Sequence, residues 1–490
     1  MTTEREYQEW QRRNKVYRHK KSARNKHLIK NKKFAWLSPV LTVALTIGAI
    51  VAYNPNLFQR INLGELLKFQ ISTIRSLSEE LVTEINEPII IIGDDAQVFE
   101  SDFTSIDQQA QKIVYSGNSV GELAQLLNQY ATTDLEKARL IYSWITHNIS
   151  YDVEALNNLF NNNIYPDVST HNVLINRSTI CSGYANLYQQ LAEKMGLKSI
   201  VILGYAKGGN YAVGEDNEVN HGWNGVKIDG KWYLVDATWG AGIINENQFQ
   251  PEFNSYYFAI KPDQFIYSHF PENSQWQLLN QPLARNQFDE LVEVSDSLFK
   301  NNIELISPQN KNINTEGNVN LTLKAPDNIV AIAKIESDKF NLSDNYTFVN
   351  KHNGYIKIKA SFPEKGNYKL NVFAKPEDDN NYYPLIASYD INASQGGSQF
   401  PTIYKHFSEH NGYLESPLNS QLPSNQNVYF KIRIDNATEV KVVNQSINNW
   451  TDLTRYGNLF SGQVNVEEGK IVVFAKFKGD SRYWALLEYN

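Results

Sequence analysis

Hydrophobic and polar positions follow distinct regimes along the chain. Phe34 to Tyr53, FAWLSPVLTVALTIGAIVAY, is apolar-dominated and carries no charged side chain, and the next charge is Arg60. About 20 such residues span a ~30 Å hydrocarbon core as a helix. Trp36 and Tyr53 fall near its two ends, where amphipathic rings favour the interface, and Pro39 sits in the first turns, where a helix tolerates it. Beyond it, Leu67, Ile71, Ile74, Leu77, Leu81 and Ile85 recur at spacings of three and four, which predicts an amphipathic helix or stalk over 54–95.

From 96 to 285 the pattern mixes helical and strand periods. DLEKARLIYSWITHNISYD reads as a helix opening at Asp134, with Ala138, Ile141, Tyr142 and Ile145 as its buried stripe. In STICSGYANLYQQLAEKMG, a second helix opens at Cys181. Its stripe is Tyr184, Leu187, Tyr188, Leu191 and Met195, and Gly196 stops it. A β-branched run, KSIVILGYA, and two strands flanking Asp229-Gly230 follow.

After about residue 300 only short alternating strands and turns remain, and they repeat. LISPQN at Leu305 returns as LESPLN at Leu414, and NVNLTLK at Asn318 returns as NVYFKIR at Asn427, each 109 residues on. VFAK at Val372 returns at Val473, and Tyr382 matches Tyr483. This predicts two tandem immunoglobulin-sized β-sandwiches, over 300–393 and 400–490, joined by the polar NASQGGSQFP. Each copy holds a full strand set, so each is expected to fold alone.

Charge refines the picture. Residues 1–33 carry 12 Lys/Arg against 3 Glu, leaving 34 basic and 50 acidic residues in the rest, a net of −16. So acidic a body argues against nucleic acid as a partner. The basic arm instead fits the cytoplasmic flank of a single-pass anchor at 34–53, with everything after it extracytoplasmic. A cleaved signal peptide is the alternative, but the leader is long and basic and has no A-x-A site.

Cys181 is the only cysteine in 490 residues, so no internal disulfide forms. A lone cysteine is often a small buried hydrophobe. At a helix N-terminus, however, free N–H groups and the dipole favour an anion and can donate to an oxyanion. A thiolate needs a base, and the base an orienting acceptor. A two-residue type I′ turn at Asp229-Gly230 sets Trp223 opposite Asp236 and makes His221 the diagonal neighbour of Asp236 on one sheet face. Diagonal partners lie ~7–8 Å apart, within reach of an imidazole and a carboxylate. Taken singly, His221 could be a satisfied core residue and Asp236 a cap. Together with Cys181 they form a Cys/His/Asp nucleophilic arrangement.

The helix-opening cysteine, NHGWNGVKIDGKWYLVDATWG and the preceding EKARLIYSWITHNISYD resemble the transglutaminase-like superfamily over about residues 100–285. The tail YYFAIKPDQFIYSHFPENSQWQLL, Tyr256 to Leu279, is similar to the kyphoscoliosis-peptidase-like subgroup. The resemblance implies an α+β fold: a papain-like core, then the two all-β sandwiches. It places the nucleophile on Cys181, the base on His221 and the orienting acid on Asp236. It implies acyl transfer on protein or peptide amides through a thioester, with water (a peptidase or amidase) or a lysine amine (cross-linking) as acceptor; hydrolysis is the leading expectation, with no cofactor and no metal. Trp223 and Trp239 flank the triad and either wall the substrate cleft or pack as core aromatics. The competing reading is a surface binding or scaffolding protein, in which the sandwiches bind partners and the transglutaminase-like domain turns nothing over.

Overall fold

The computed structural model describes residues 96–99, 101–162, 164–208 and 219–489, except 338, 340, 341 and 343. The basic arm, the apolar run at 34–53 and the stalk helix lie outside the described residues. Among the described residues no helix is long and apolar enough to cross a membrane. The chain forms two compact units. The first holds the described residues up to Asp263 together with His269–Pro282, and the second holds Gln264–Ser268 and the chain from Leu283.

The first unit packs helices on an antiparallel sheet. Its helices are α1 (Thr104–Lys112), α2 (Val120–Leu127), α3 (Asp134–Asn148), α4 (Val153–Asn162), α5 (Thr170–Asn176), α6 (Cys181–Lys194) and α7 (Ala237–Ala241). Two short strands, β1 (Ser150–Tyr151) and β2 (Ser178–Thr179), pair in parallel. The main sheet comprises β3 (Lys198–Ala206), β4 (His221–Ile228), β5 (Lys231–Val235), β8 (Phe258–Ile260) and β9 (His269–Pro271), after a small hairpin of β6 (Gly242–Asn245) and β7 (Gln248–Pro251). Its order is β8-β5-β4-β3-β9.

Helix α3 starts at Asp134 as expected, after Thr133 as N-cap, which forms a capping box with Glu136. The Glu136 carboxylate accepts from the backbone N–H of Thr133 and Thr132 and from the Thr132 hydroxyl, which lowers its pKa to about 2. The predicted stripe is buried, but so is every residue from Ala138 to Thr146. This includes Arg139, whose guanidinium is held bidentately by Asp107 at 2.8 and 2.6 Å. A buried charge persists only when paired in this way. Helix α3 is therefore a central rod rather than an amphipathic cover.

The second unit contains two β-sandwiches. In the first, one sheet runs in the order Glu293–Val294, Leu385–Ala393, Gly366–Pro376 and Ile329–Glu336, with Asn312–Thr315 pairing Leu385–Ala393 in parallel. The facing sheet orders Glu304–Ser307, Asn318–Lys324, Tyr355–Ser361 and Thr347–His352. In the second, the sheets are Thr402–Ile403, Trp484–Tyr489, Ile471–Phe477, Ala437–Asn444, Asn449–Asp452 and Tyr413–Ser416, Gln426–Arg433, Leu459–Val466, Thr454–Tyr456. The sequence repeat survives as a shared tie: Tyr389 donates its hydroxyl proton to the Pro308 carbonyl, and Tyr489 does the same to Pro417.

The sandwiches also share material. Phe348, from a strand of the first, belongs to the core of the second and packs against Phe400 and Phe407 at 5.8 and 6.1 Å between ring centroids. Asn350, two residues on and on the same strand face, is buried and bonds both backbone groups of Leu414. Phe348→Ala should therefore cost about 3–5 kcal/mol and lower the denaturant midpoint of the second sandwich, although the residue lies in the first. Circular dichroism and limited proteolysis of the variant check this. An unchanged midpoint for residues 400–490 would mean that the second sandwich stands alone.

Candidate active site

The site is assembled where α6, β4 and α7 begin. β2 leads directly into α6, so Cys181 is the first helical residue, partly exposed, after Ile180 as N-cap. Its approach is close: a Cβ on Gly183 would lie 2.0 Å from the Thr179 hydroxyl, so only glycine fits there. Asn224 on β4 secures the helix from below, donating from Nδ2 to the carbonyls of Ala185 and Ile200 at 3.0 and 3.1 Å.

The hairpin has the predicted register. Asp229 and Gly230 have φ of 48° and 85°, as a type I′ turn requires, and Asn224 faces Val235. β5 ends at Val235, so Asp236 is the N-cap of α7 rather than a strand residue. Its Oδ1 accepts from the backbone N–H of Thr238 and Trp239 at 2.8 and 3.1 Å. Helix α7 can sit against α3 only because residue 240 is glycine, since a Cβ there would lie 2.0 Å from the Tyr142 hydroxyl.

The structure brings Cys181, His221 and Asp236 together. His221 Nε2 lies 2.7 Å from Asp236 Oδ2, and the Cys181 side chain lies close enough to the same imidazole to favour its protonated form through hydrogen bonding and charge. His221 is buried and Asp236 wholly so. Burial pulls the His221 pKa down, but the Asp236 charge and hydrogen bond and the Cys181 contact outweigh it and raise it to about 10. Burial pushes the Asp236 carboxyl up, and the opposed charge and hydrogen bond of His221, with a further bond from His269, hold it well below the usual range. The resting site is thus an imidazolium beside an ionised carboxylate.

The two tryptophans take different places. Trp223 is buried with its ring stacked on His221, centroids 5.9 Å apart. Trp239 is partly exposed, 5.9 Å from His221 and 4.5 Å from His269. Trp223 is therefore packing for the imidazole, and Trp239 is the one with a solvent-facing edge.

Two residues were not found from sequence. His269 is fully buried with Nε2 3.1 Å from Asp236 Oδ2. Tyr151, on β1, accepts from the Cys181 backbone N–H through its hydroxyl oxygen. His269 lay in the SHFP of the tail, and Tyr151 in the ISYD closing the α3 stretch, but neither carries a periodicity that marks it. Among the described residues, His221, Asp236 and His269 are the cluster whose ligand atoms all lie within 4.8 Å of one another. Those atoms could suit a cation, yet they are already spent on one another: both Nε2 atoms bond the single oxygen Oδ2.

Against known families, residues 121–237 match the transglutaminase-like superfamily, and residues 285–402 match the KY-like, immunoglobulin-like domain. The chain thus carries a transglutaminase-like domain of the KY-like subgroup, followed by immunoglobulin-like sandwich domains. Among individual proteins it is 28% identical to kyphoscoliosis peptidase of Mus musculus over 299 residues, covering 60% of this chain and 43% of that protein. It is 29% identical to the Homo sapiens kyphoscoliosis peptidase over 328 residues, covering 63% and 48%. It is 30% identical to Lim and transglutaminase domain protein ltd-1 of Caenorhabditis elegans over 221 residues, covering 42% and 30%. The chain spans less than half the length of these relatives.

The electrostatics set a pH test. A folded-state pKa raised above the ordinary value of about 6.5 for histidine means that His221 keeps its proton through neutral pH. The stability this adds is complete below that ordinary value and is lost as pH rises through about 10. His269, pulled down to about 4 by burial and by the His221 charge against the pull of Asp236, should be neutral over the same range. NMR titration of histidine ring nitrogens in the intact protein checks both. An imidazolium at His221 that deprotonates near 6.5 would contradict the pairing.

Proposed function

We propose that the first unit is a cysteine-nucleophile acyl-transfer enzyme acting on protein or peptide amides through a thioester, with water as the acceptor. The observation that carries this is the single imidazole bonded on one side to Cys181 and on the other to Asp236. The name kyphoscoliosis peptidase, borne by two relatives, supports water over a lysine amine as acceptor.

The chemistry follows from the geometry. The Cys181 thiolate attacks the amide carbonyl carbon, forming a C–S bond, while the carbonyl electron pair moves onto oxygen. The Cys181 N–H, at a helix N-terminus and without an intrahelical partner, becomes a donor for that oxyanion when the carbonyl oxygen displaces the Tyr151 hydroxyl from it. The C–N bond breaks as the His221 imidazolium gives its proton to the departing amine. Neutral His221 then takes a proton from water, whose oxygen attacks the thioester. Cleavage of the C–S bond frees the acid and returns the thiolate, and His221 ends protonated as it began. Asp236 fixes the ring and stabilises the imidazolium at each stage.

The apolar run at 34–53, behind its basic arm, supports a single-pass anchor with the enzyme and the sandwiches outside the cytoplasm. Under that reading the basic arm lies on the cytoplasmic side.

Incubation with a glutamine-containing peptide library, with and without a primary amine, tests the reaction. Mass spectrometry should show backbone cleavage or deamidation that is unchanged by the amine and absent in Cys181→Ser and His221→Ala. Amine incorporation would establish cross-linking instead. A Cys181 inert to every peptide and to thiol reagents would favour the scaffolding reading. Separately, a reporter fused after Asn490 should be found outside the cytoplasm, since the Lys/Arg excess precedes Phe34. A cytoplasmic signal would reverse the orientation, and a mature chain beginning after Ala52 would replace the anchor with a cleaved leader.

A further inference from the structure

We propose that His269 is a positioning residue of the site: through Nε2–H it holds the Asp236 carboxylate in place for His221, extending the Cys181–His221–Asp236 chain of hydrogen bonds by a fourth member. This rests on the reading of that chain as a nucleophilic site.

The geometry begins with the bond count at Asp236. Its Oδ1 accepts two backbone N–H groups from α7, and its Oδ2 accepts two imidazoles, His221 at 2.7 Å and His269 at 3.1 Å. An ionised carboxylate only accepts, so both nitrogens facing Oδ2 carry protons. With four donors around it, the carboxylate cannot turn without leaving one of them unmet. Remove His269, and Oδ2 is fixed by His221 alone, the very group it should orient.

His269 comes from the far side of the sheet. Asp236 follows β5, whereas His269 is on edge strand β9, with β4 and β3 between them in the sheet order. β9 pairs with β3 through Ala206 and His269, and β3 pairs with β4 through Gly204 and His221. Gly204 makes this closeness feasible: a Cβ there would lie 2.3 Å from the Phe270 carbonyl and 2.5 Å from the Trp223 ring. The His269 ring is enclosed edge-on by Trp239 at 4.5 Å and Trp223 at 5.2 Å, with His221 at 5.4 Å. Such packing would suit an apolar side chain equally well. What it does not explain is a nitrogen aimed at the one carboxylate of the site. Burial keeps this imidazole neutral, so it donates to Asp236 without competing with His221 for its charge.

The chain's one cysteine supplies a readout that needs no substrate. The rate at which iodoacetamide alkylates Cys181 in the full-length protein at neutral pH is followed by mass spectrometry, with circular dichroism as the control for folding. His269→Leu, which fills the space without a donor, should lower the rate about tenfold, the range of a hydrogen bond to a charged group. His269→Gln, which returns an N–H to the same place, should stay within about threefold of the native rate. Equal rates in the two variants, whether both low or both native, would overturn the proposal and leave His269 as packing. If His269→Leu does not fold, the native protein decides: long-range 15N–1H spectra of histidine-labelled chain should show His269 as the Nε2–H tautomer, and an Nδ1–H tautomer would overturn the assignment. His221→Ala separates the two levels. A native alkylation rate there sinks the nucleophilic site itself, whereas a slowed rate with indistinguishable His269 variants sinks only this inference.

Discussion

The first unit is organised around one buried carboxylate. Asp236 is wholly inaccessible, and an ion in that position costs several kcal/mol unless its lone pairs are met. They are met from three directions: the first turn of α7, the start of β4 and the edge strand β9. Each donor requires its element to be in register. The carboxylate is therefore a constraint that aligns β4 and the edge strand β9 with one short helix.

Cys181, the proposed nucleophile, reaches this point by a separate set of close approaches. The parallel pairing of β1 with β2 delivers the chain to Cys181, Gly183 permits the first turn to lie on Thr179, and Asn224 ties α6 to the sheet. Behind these, Tyr184 and Tyr188 each donate a hydroxyl proton to a backbone carbonyl of the α3 segment, at Ile149 and Ala138. The stripe that reads as hydrophobic in the sequence therefore carries two hydrogen bonds that fix the height of the helix as well. Position at the sulfur comes from backbone packing, and position at the imidazole comes from charge.

Much of this was legible in the sequence because its determinants are local. The turn residues Asp229-Gly230 set the hairpin register, which brings the start of β4 beside the end of β5 and so His221 near Asp236, the N-cap of α7. The spacing of Tyr184, Leu187, Tyr188 and Leu191, ended by Gly196, marks the extent of α6. What escaped notice lies in long-range contacts. His269 is on a three-residue strand, too short for a period, and reaches Asp236 across two intervening strands. Arg139 reads as the solvent side of α3, yet Asp107, from another helix, makes its burial tolerable. Phe348 looks like an ordinary inward residue of its own sandwich but fills the core of the next. In each case the partner lies more than thirty residues away or in another domain.

Why an aspartate, and not merely a polar residue, stands at 236 follows from the same accounting. An asparagine keeps the shape and could still cap α7 through its oxygen. Its NH₂ group would then face His221 and His269, donor against donor, and both imidazoles would have to change tautomer or turn away. For His221 a change of tautomer puts the proton on Nδ1, which can then donate to the sulfur but no longer take a proton from it, and a turn of the ring breaks the link to Cys181 outright. The hydrogen-bond count at 236 thus demands an acceptor-only group before charge is considered. Charge then adds the stabilisation that keeps His221 protonated beside the sulfur. Structural need and chemical need select the same residue, and they do so at the point where the sheet, α7 and the edge strand meet.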